Sequence, residues 1–111
     1  MAPNAMQITD ASFQQAVSKP GLVLVDFYAD WCGPCRIVGP ALEQLAGELE
    51  GKFTLAKLNV DENQAHAQRF GVMSIPTLIL FKDGQPVDMV VGAAPKAELK
   101  RWIEQHLGAP A

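Results

Sequence analysis

At 111 residues, with 49% hydrophobic and 19% charged side chains, the chain has the length of one small domain and a composition that excludes intrinsic disorder. Its formal net charge of −3 comes without any run of Lys or Arg, which excludes the basic footprint of a protein that binds nucleic acid or anionic membrane.

The opening stretch MAPNAMQITD has no cationic segment followed by an apolar core, so neither export nor membrane insertion is expected. All of 1–111 reads as a single domain, with frayed ends at 1–5 and 109–111. Ile8 marks a short strand, and Thr9 or Asp10 is expected to cap a helix carrying Phe13 and Val17. The run LVLVDFYA, 22–29, is apolar except for Asp26 and reads as a strand buried on both faces, as in the middle of a parallel sheet.

From Cys35 onward, Ile37, Val38, Ala41, Leu42, Leu45, Ala46 and Leu49 recur at helical spacing until Gly51 supplies a stop, with Pro40 expected to bend the helix near its middle. FTLAKLNV, 53–60, is a second strand, and 63–71 is a short helix ending in glycine. TLILF and PVDMVVG flank KDGQ, whose Asp83-Gly84 pair signals a tight hairpin and hence an antiparallel pair. A last helix, opened by Pro95 and stopped by Gly108, carries Leu99, Trp102, Ile103 and Leu107 on one face. Parallel strands joined by a helical crossover, then a hairpin and a closing helix, give an α/β fold: a central mixed sheet with helices on both faces.

Both cysteines lie in WCGPC, 31–35, between the first long strand and its helix. A structural zinc site needs about four ligands, and His66 and His106 are far apart in sequence and on different helices, so no metal is expected. Arg36 stands where a c-type haem attachment would require His. A disulfide closing so small a loop removes little entropy from the unfolded chain and would be a poor staple. A reactive dithiol explains more. Cys32 falls at the helix N-cap, where free backbone N–H groups and the helix dipole favour a thiolate, and Pro34 is tolerated in the first turn. Cys35, one turn further in and more shielded, is placed to attack a mixed disulfide formed on Cys32.

Asp26 inside an apolar strand has two readings. As a buried carboxylate its proton affinity rises and it can accept a proton; alternatively it forms a buried ion pair with Lys57, which interrupts the second strand in the same way. Pro76 in SIPT precedes a strand, and without further information its peptide bond reads as trans. Trp31, at a strand end beside a helix start, is either a surface residue or ordinary core packing.

The stretches VDFYADWCGPC, KLNVDEN, SIPTLILFKDG and VVGA together resemble the thioredoxin family over nearly the whole chain. The resemblance implies the thioredoxin fold and a protein-disulfide reductase working by dithiol–disulfide exchange. Its redox group would be a Cys32–Cys35 disulfide, with no bound cofactor and with electrons from NADPH delivered by a thioredoxin reductase. It implies that Asp26 helps deprotonate Cys35 with Lys57 tuning it, and that Pro76 is cis beside the dithiol. Trp31, Gly33, Pro34, Ile75, Pro76, Gly92 and Ala93 would form the face for protein substrates, Ile75 offering its backbone to an extended segment. The expected setting is a cytoplasmic monomer that meets its reductase and disulfide-bearing proteins, not nucleic acid or membrane. The departures from the common pattern are Tyr28, where many members have tryptophan, and the stretch Met73-Ser74, often more basic or glycine-containing. The competing reading is a binding subunit that clamps a partner through the Trp31 and Pro76 face without electron transfer.

Overall fold

A computed structural model describes residues 4–107. The elements in chain order are β1 (Ala5–Ile8), α1 (Phe13–Val17), β2 (Leu22–Tyr28), α2 (Gly33–Glu48), β3 (Phe53–Asn59), α3 (Ala65–Arg69), β4 (Thr77–Lys82), β5 (Gln85–Val91) and α4 (Lys96–Gln105). The ends expected at 1–3 and 109–111, and the stop at Gly108, lie outside the described residues. Asn4 and Ala5 do not: Ala5 opens β1 and pairs with Leu55.

The five strands form one sheet in the order β1-β3-β2-β4-β5. β1 and β2 run parallel to β3, and β4 runs antiparallel to both β2 and β5, so the sheet is mixed as expected. The β4–β5 turn places both Asp83 (φ 52°) and Gly84 (φ 83°) in the left-handed region, the requirement of a two-residue hairpin and the reason for Asp-Gly there.

Alternation along β2 divides the core in two. Leu22 and Leu24 face α2 and α4, packing with Val38, Leu42, Leu45, Leu99 and Ile103. Val23, Val25 and Phe27 face α1 and α3, packing with Phe13, Val17, Ala67 and Phe81. Helices therefore cover both faces, and period-2 geometry puts Asp26 on the α2 side. Lys57, two residues after Leu55, points the same way from β3.

Two local expectations are corrected. The helix-capping role given to Thr9 or Asp10 falls to Ser12, which makes no side-chain cap bond to α1; Thr9 and Ser12 instead exchange bonds, each backbone N–H donating to the other's hydroxyl. Asp10 caps a different helix: its carboxylate accepts from the N–H groups of Ala65 (3.0 Å) and His66 (3.1 Å) at the start of α3, whose own N-cap Gln64 makes no cap bond. Ile37 is 71% exposed, because the buried stripe of α2 runs through Cys35, Val38, Leu42, Leu45 and Ala46 and leaves it on the outer side. As expected, α2 starts directly after its N-cap Cys32, and Pro95 is the N-cap of α4; the exposed Pro40 lies inside α2.

Candidate active site

The end of β2 delivers the chain to Cys32, the N-cap of α2, with Pro34 in the first turn where no intrahelical N–H is needed. Cys32 and Cys35 are joined as a disulfide with Cα atoms 5.3 Å apart. The Cys35 backbone N–H donates to the Cys32 sulfur at 3.2 Å, and the Cys32 N–H donates to Ala29 O at 3.2 Å. A helix N-terminus that aims an N–H at one sulfur favours negative charge on that sulfur once the bond is reduced.

Exposure does not separate the two cysteines as expected. Cys32 is 4% and Cys35 6% exposed, because the disulfide draws both sulfurs into a small cluster with Ala29, flanked by Tyr28, Val60 and Ile75. What separates them is the surroundings. The Cys32 sulfur lies 3.8 Å from the carbonyl oxygen of Ile75, on the side of the loop before β4. Cys35 lines a cleft on the α2 side with Tyr28, Gly39, Glu43 and Lys57.

On the Cys32 side, the Ile75–Pro76 peptide bond is cis. Pro76 is buried, Ile75 is half-buried, and the Gly92 N–H donates to Pro76 O at 2.8 Å, fixing the 92–93 turn beside that loop. Gly33, Pro34 and Ala93 are exposed around it. Trp31 is 68% exposed and so is not core packing; its indole N–H donates to Asp61 at 2.8 Å. Trp31, Val60, Ala67, Val72, Met73, Ser74 and Ile75 line an open groove. Val60, Ala67, Val72 and Asp61 were not singled out from the sequence. They come from three separate elements and loops, and only the register of β3 and the placing of α3 bring them to Trp31.

On the Cys35 side, Asp26 is 1% exposed and both its carboxylate oxygens lack any hydrogen-bond partner. Burial pushes its pKa up from the ordinary carboxylate range to about 7; the Lys57 charge pulls it down and the Glu43 charge adds to the rise. Asp26 and Lys57 are paired in register on adjacent strands. The Asp26–Lys57 ion pair that stood as the alternative reading is not formed: the Lys57 ammonium bonds Glu43 at 3.4 Å and lies 4.8 Å from the centre of the Tyr28 ring. Glu43 escaped the sequence reading. Its signal was there, since Cys35, Gly39 and Glu43 recur at i, i+4 and i+8 along α2 and so share one stripe.

Among the described residues no three His, Cys, Asp or Glu side chains are grouped to hold a metal ion. His66 stacks on Phe13 with ring centres 4.1 Å apart, and His106 bonds Asp88 at 2.8 Å. No helix among them is long and apolar enough to cross a membrane.

Comparison with known proteins agrees with this arrangement. The thioredoxin family model matches residues 4–105. A thioredoxin from Staphylococcus saprophyticus is 54% identical over 102 residues, spanning 92% of this chain and 97% of that protein. One from Staphylococcus haemolyticus is 52% identical over the same shares. Among solved structures, a single-residue mutant of thioredoxin from Halobacterium salinarum NRC-1 superimposes with a TM-score of 0.88 at 39% identity, covering 100% of this chain and 98% of that one.

Proposed function

The chain belongs to the thioredoxin family and is a thiol–disulfide oxidoreductase, and on that premise we propose how its residues share the work and what it works with. Cys32 is the attacking sulfur. As a thiolate it attacks one sulfur of a substrate disulfide, a Cys32–substrate disulfide forms, and the other substrate sulfur leaves as a thiolate that takes a proton from water. Cys35 then gives its proton to the Asp26 carboxylate and attacks the Cys32 sulfur. The Cys32–Cys35 bond forms and the second substrate sulfur departs, so the substrate gains two electrons and the dithiol loses two. A thioredoxin reductase drawing on NADPH returns them.

The single observation that carries this division is the contrast between the two sulfurs: Cys32 accepts the helix-terminal N–H and lies beside the carbonyl of Ile75, a residue that lines the groove, while Cys35 lines the cleft that holds Lys57 and Glu43. A partner-clamping subunit without electron transfer is not favoured, because a clamp has no use for a dithiol at a helix N-terminus or for an unpartnered buried carboxylate behind it. For substrates, the proposed docking face is Trp31, Gly33, Pro34, Ile75, Pro76, Gly92 and Ala93, supported by the exposure of Trp31 and by the groove that begins there. The proposed setting is the cytoplasm, where a dithiol persists between turnovers, with the protein acting as a monomer.

The test is reduction of insulin coupled to NADPH through a bacterial thioredoxin reductase. Oxidation of NADPH that depends on this chain is the expected result. Binding of protein disulfides with no transfer of electrons would replace the reductase with the clamp.

A further inference from the structure

The cleft beside Cys35 contains a charge that the reaction scheme has not used. Glu43 sits two turns along α2 from Cys35, with its side chain 27% exposed, and its carboxylate takes the Lys57 ammonium at 3.4 Å. Lys57 is the in-register neighbour of Asp26, on the same side of the sheet, and the cation whose charge acts on that carboxyl. Its ammonium lies against α2, close enough to Gly39 that a methyl group at that position would touch it at 3.6 Å. Both oxygens of Asp26 are consequently without a partner.

We propose that Glu43 is a positioning residue for the resolving step: by holding the Lys57 ammonium against α2, it keeps Asp26 from being tied up as an ion-pair partner and sets the pH at which Asp26 accepts the proton of Cys35. This rests on the reading of Asp26 as that acceptor. The charge balance supports it. The charged groups that act on Asp26 are Glu43 from α2 and Lys57 from β3; its register neighbour on β4 is the uncharged Leu78, Tyr28 lies two residues along its own strand, and Cys35, Asp30 and Arg36 line the cleft that Glu43 and Lys57 share. With Lys57 bonded directly to Asp26, the carboxylate would be ionised over the whole neutral range, and too weak a base to draw a proton from a thiol. With Lys57 held by Glu43, the attraction is weakened and the nearby negative charge adds to the effect of burial, which leaves Asp26 balanced near neutrality.

The neutral isostere Glu43→Gln removes that charge and releases Lys57, and both changes favour the ionised form of Asp26. The experiment follows the Asp26 carboxyl carbon by NMR titration in the oxidised protein, where Cys35 does not titrate, in the parent, Glu43→Gln and Glu43→Asp. In parallel, stopped-flow kinetics on the reduced protein give the pH profile of the resolving step. The expected result is a fall in the Asp26 midpoint on the order of one pH unit in Glu43→Gln, the scale for loss of one nearby charge, with Glu43→Asp close to the parent. The acid limb of resolution should fall with it. An unmoved midpoint in Glu43→Gln, whatever happens to its melting temperature, would overturn the proposal and leave Glu43 an ordinary ion-pair partner. A midpoint that moves while the acid limb stays put would leave Glu43 in control of Asp26 but remove Asp26 from the reaction, which overturns the reading of Asp26 instead.

Discussion

Asp26 and Lys57 stand opposite one another in the β2–β3 ladder, yet the lysine's ammonium is bonded to Glu43, and the aspartate is buried with neither oxygen hydrogen-bonded. The consequence for stability has a definite sign. Folding raises the Asp26 pKa to about 7, so the folded state binds a proton that the unfolded chain releases near pH 4. Below about pH 4 both states are protonated and no penalty exists; as pH rises towards 7 stability is lost at about 1.4 kcal/mol per pH unit, and above that the loss is constant. Asp26→Ala escapes the penalty but leaves a small cavity. We expect the variant to be more stable than the parent by about 1–3 kcal/mol near pH 8 and equal or less stable near pH 4. Urea melts at the two pH values check the crossover; an Asp26→Ala protein that is less stable at both would mean that the carboxylate is held favourably after all.

The two thiols should separate cleanly by mutation. Cys32→Ser removes the sulfur that faces the Ile75 loop and should lower disulfide reduction by at least about 1000-fold, since a serine hydroxyl is not ionised at neutral pH. Cys35→Ser keeps the attacking sulfur and should accumulate one substrate molecule as a mixed disulfide on Cys32. Intact-mass spectrometry after mixing with an oxidised peptide distinguishes them. Adducts on Cys32→Ser and none on Cys35→Ser would reverse the assignment.

Asp10 offers a test remote from the dithiol. Its carboxylate spans the backbone N–H groups of two α3 residues, Ala65 and His66, while its own N–H donates to Asn63 at 2.9 Å. Replacing a capping Asp costs about 1 kcal/mol, so Asp10→Ala should lower stability by that amount and leave the reduction of small disulfides unchanged. Hydrogen exchange at the Ala65 and His66 amides should accelerate ahead of the rest of the fold. Protection unchanged at those two amides would show that the bonds carry no stability.

These cases show what the residues disclose one at a time and what they do not. Strands and long helices are legible because burial imposes a local period: β2 is apolar on both faces since α2 and α4 cover one side and α1 and α3 the other. Cys32 as an N-cap is legible because a cap, a proline and an apolar stripe lie within a few residues. Asp10 as the cap of α3 is not, for the bond joins residues 55 positions apart and its geometry depends on the closing of the β1–β3 pair. Glu43 belongs to the same class: its spacing from Cys35 puts it on the right stripe, but only the β2–β3 register reveals that Lys57 waits there. Ile37 errs the other way, since an apolar residue can match a helical spacing and still fall at the edge of the stripe. The cis bond before Pro76 was implied by the family resemblance, whereas the local sequence favoured trans.

The groove beside the dithiol gives the last expectation. Met73, 96% exposed, lines it together with the 68% exposed Trp31 and with Val60, Ala67, Val72 and Ile75. A side chain so exposed contributes nothing to the core, so Met73→Ala should change stability by less than about 0.5 kcal/mol. On the proposed reading, however, a docked polypeptide covers it. Methionine is flexible and polarisable and packs against varied apolar surfaces, and covering part of it is worth about 1 kcal/mol, or roughly fivefold in an equilibrium constant. Met73→Ala should therefore lower kcat/KM for a protein disulfide by about fivefold, mainly through KM, because the contact is equally present in the ground and transition states. A small aromatic disulfide, too short to reach Met73 from Cys32, should be reduced at the parent rate. Trp31→Ala should be more damaging, since it removes a larger wall and also the bond to Asp61. Steady-state kinetics on the two substrates decide the matter: equal losses on both would mean that Met73 acts on the dithiol rather than on docking, and no loss on either would move the protein-binding face elsewhere.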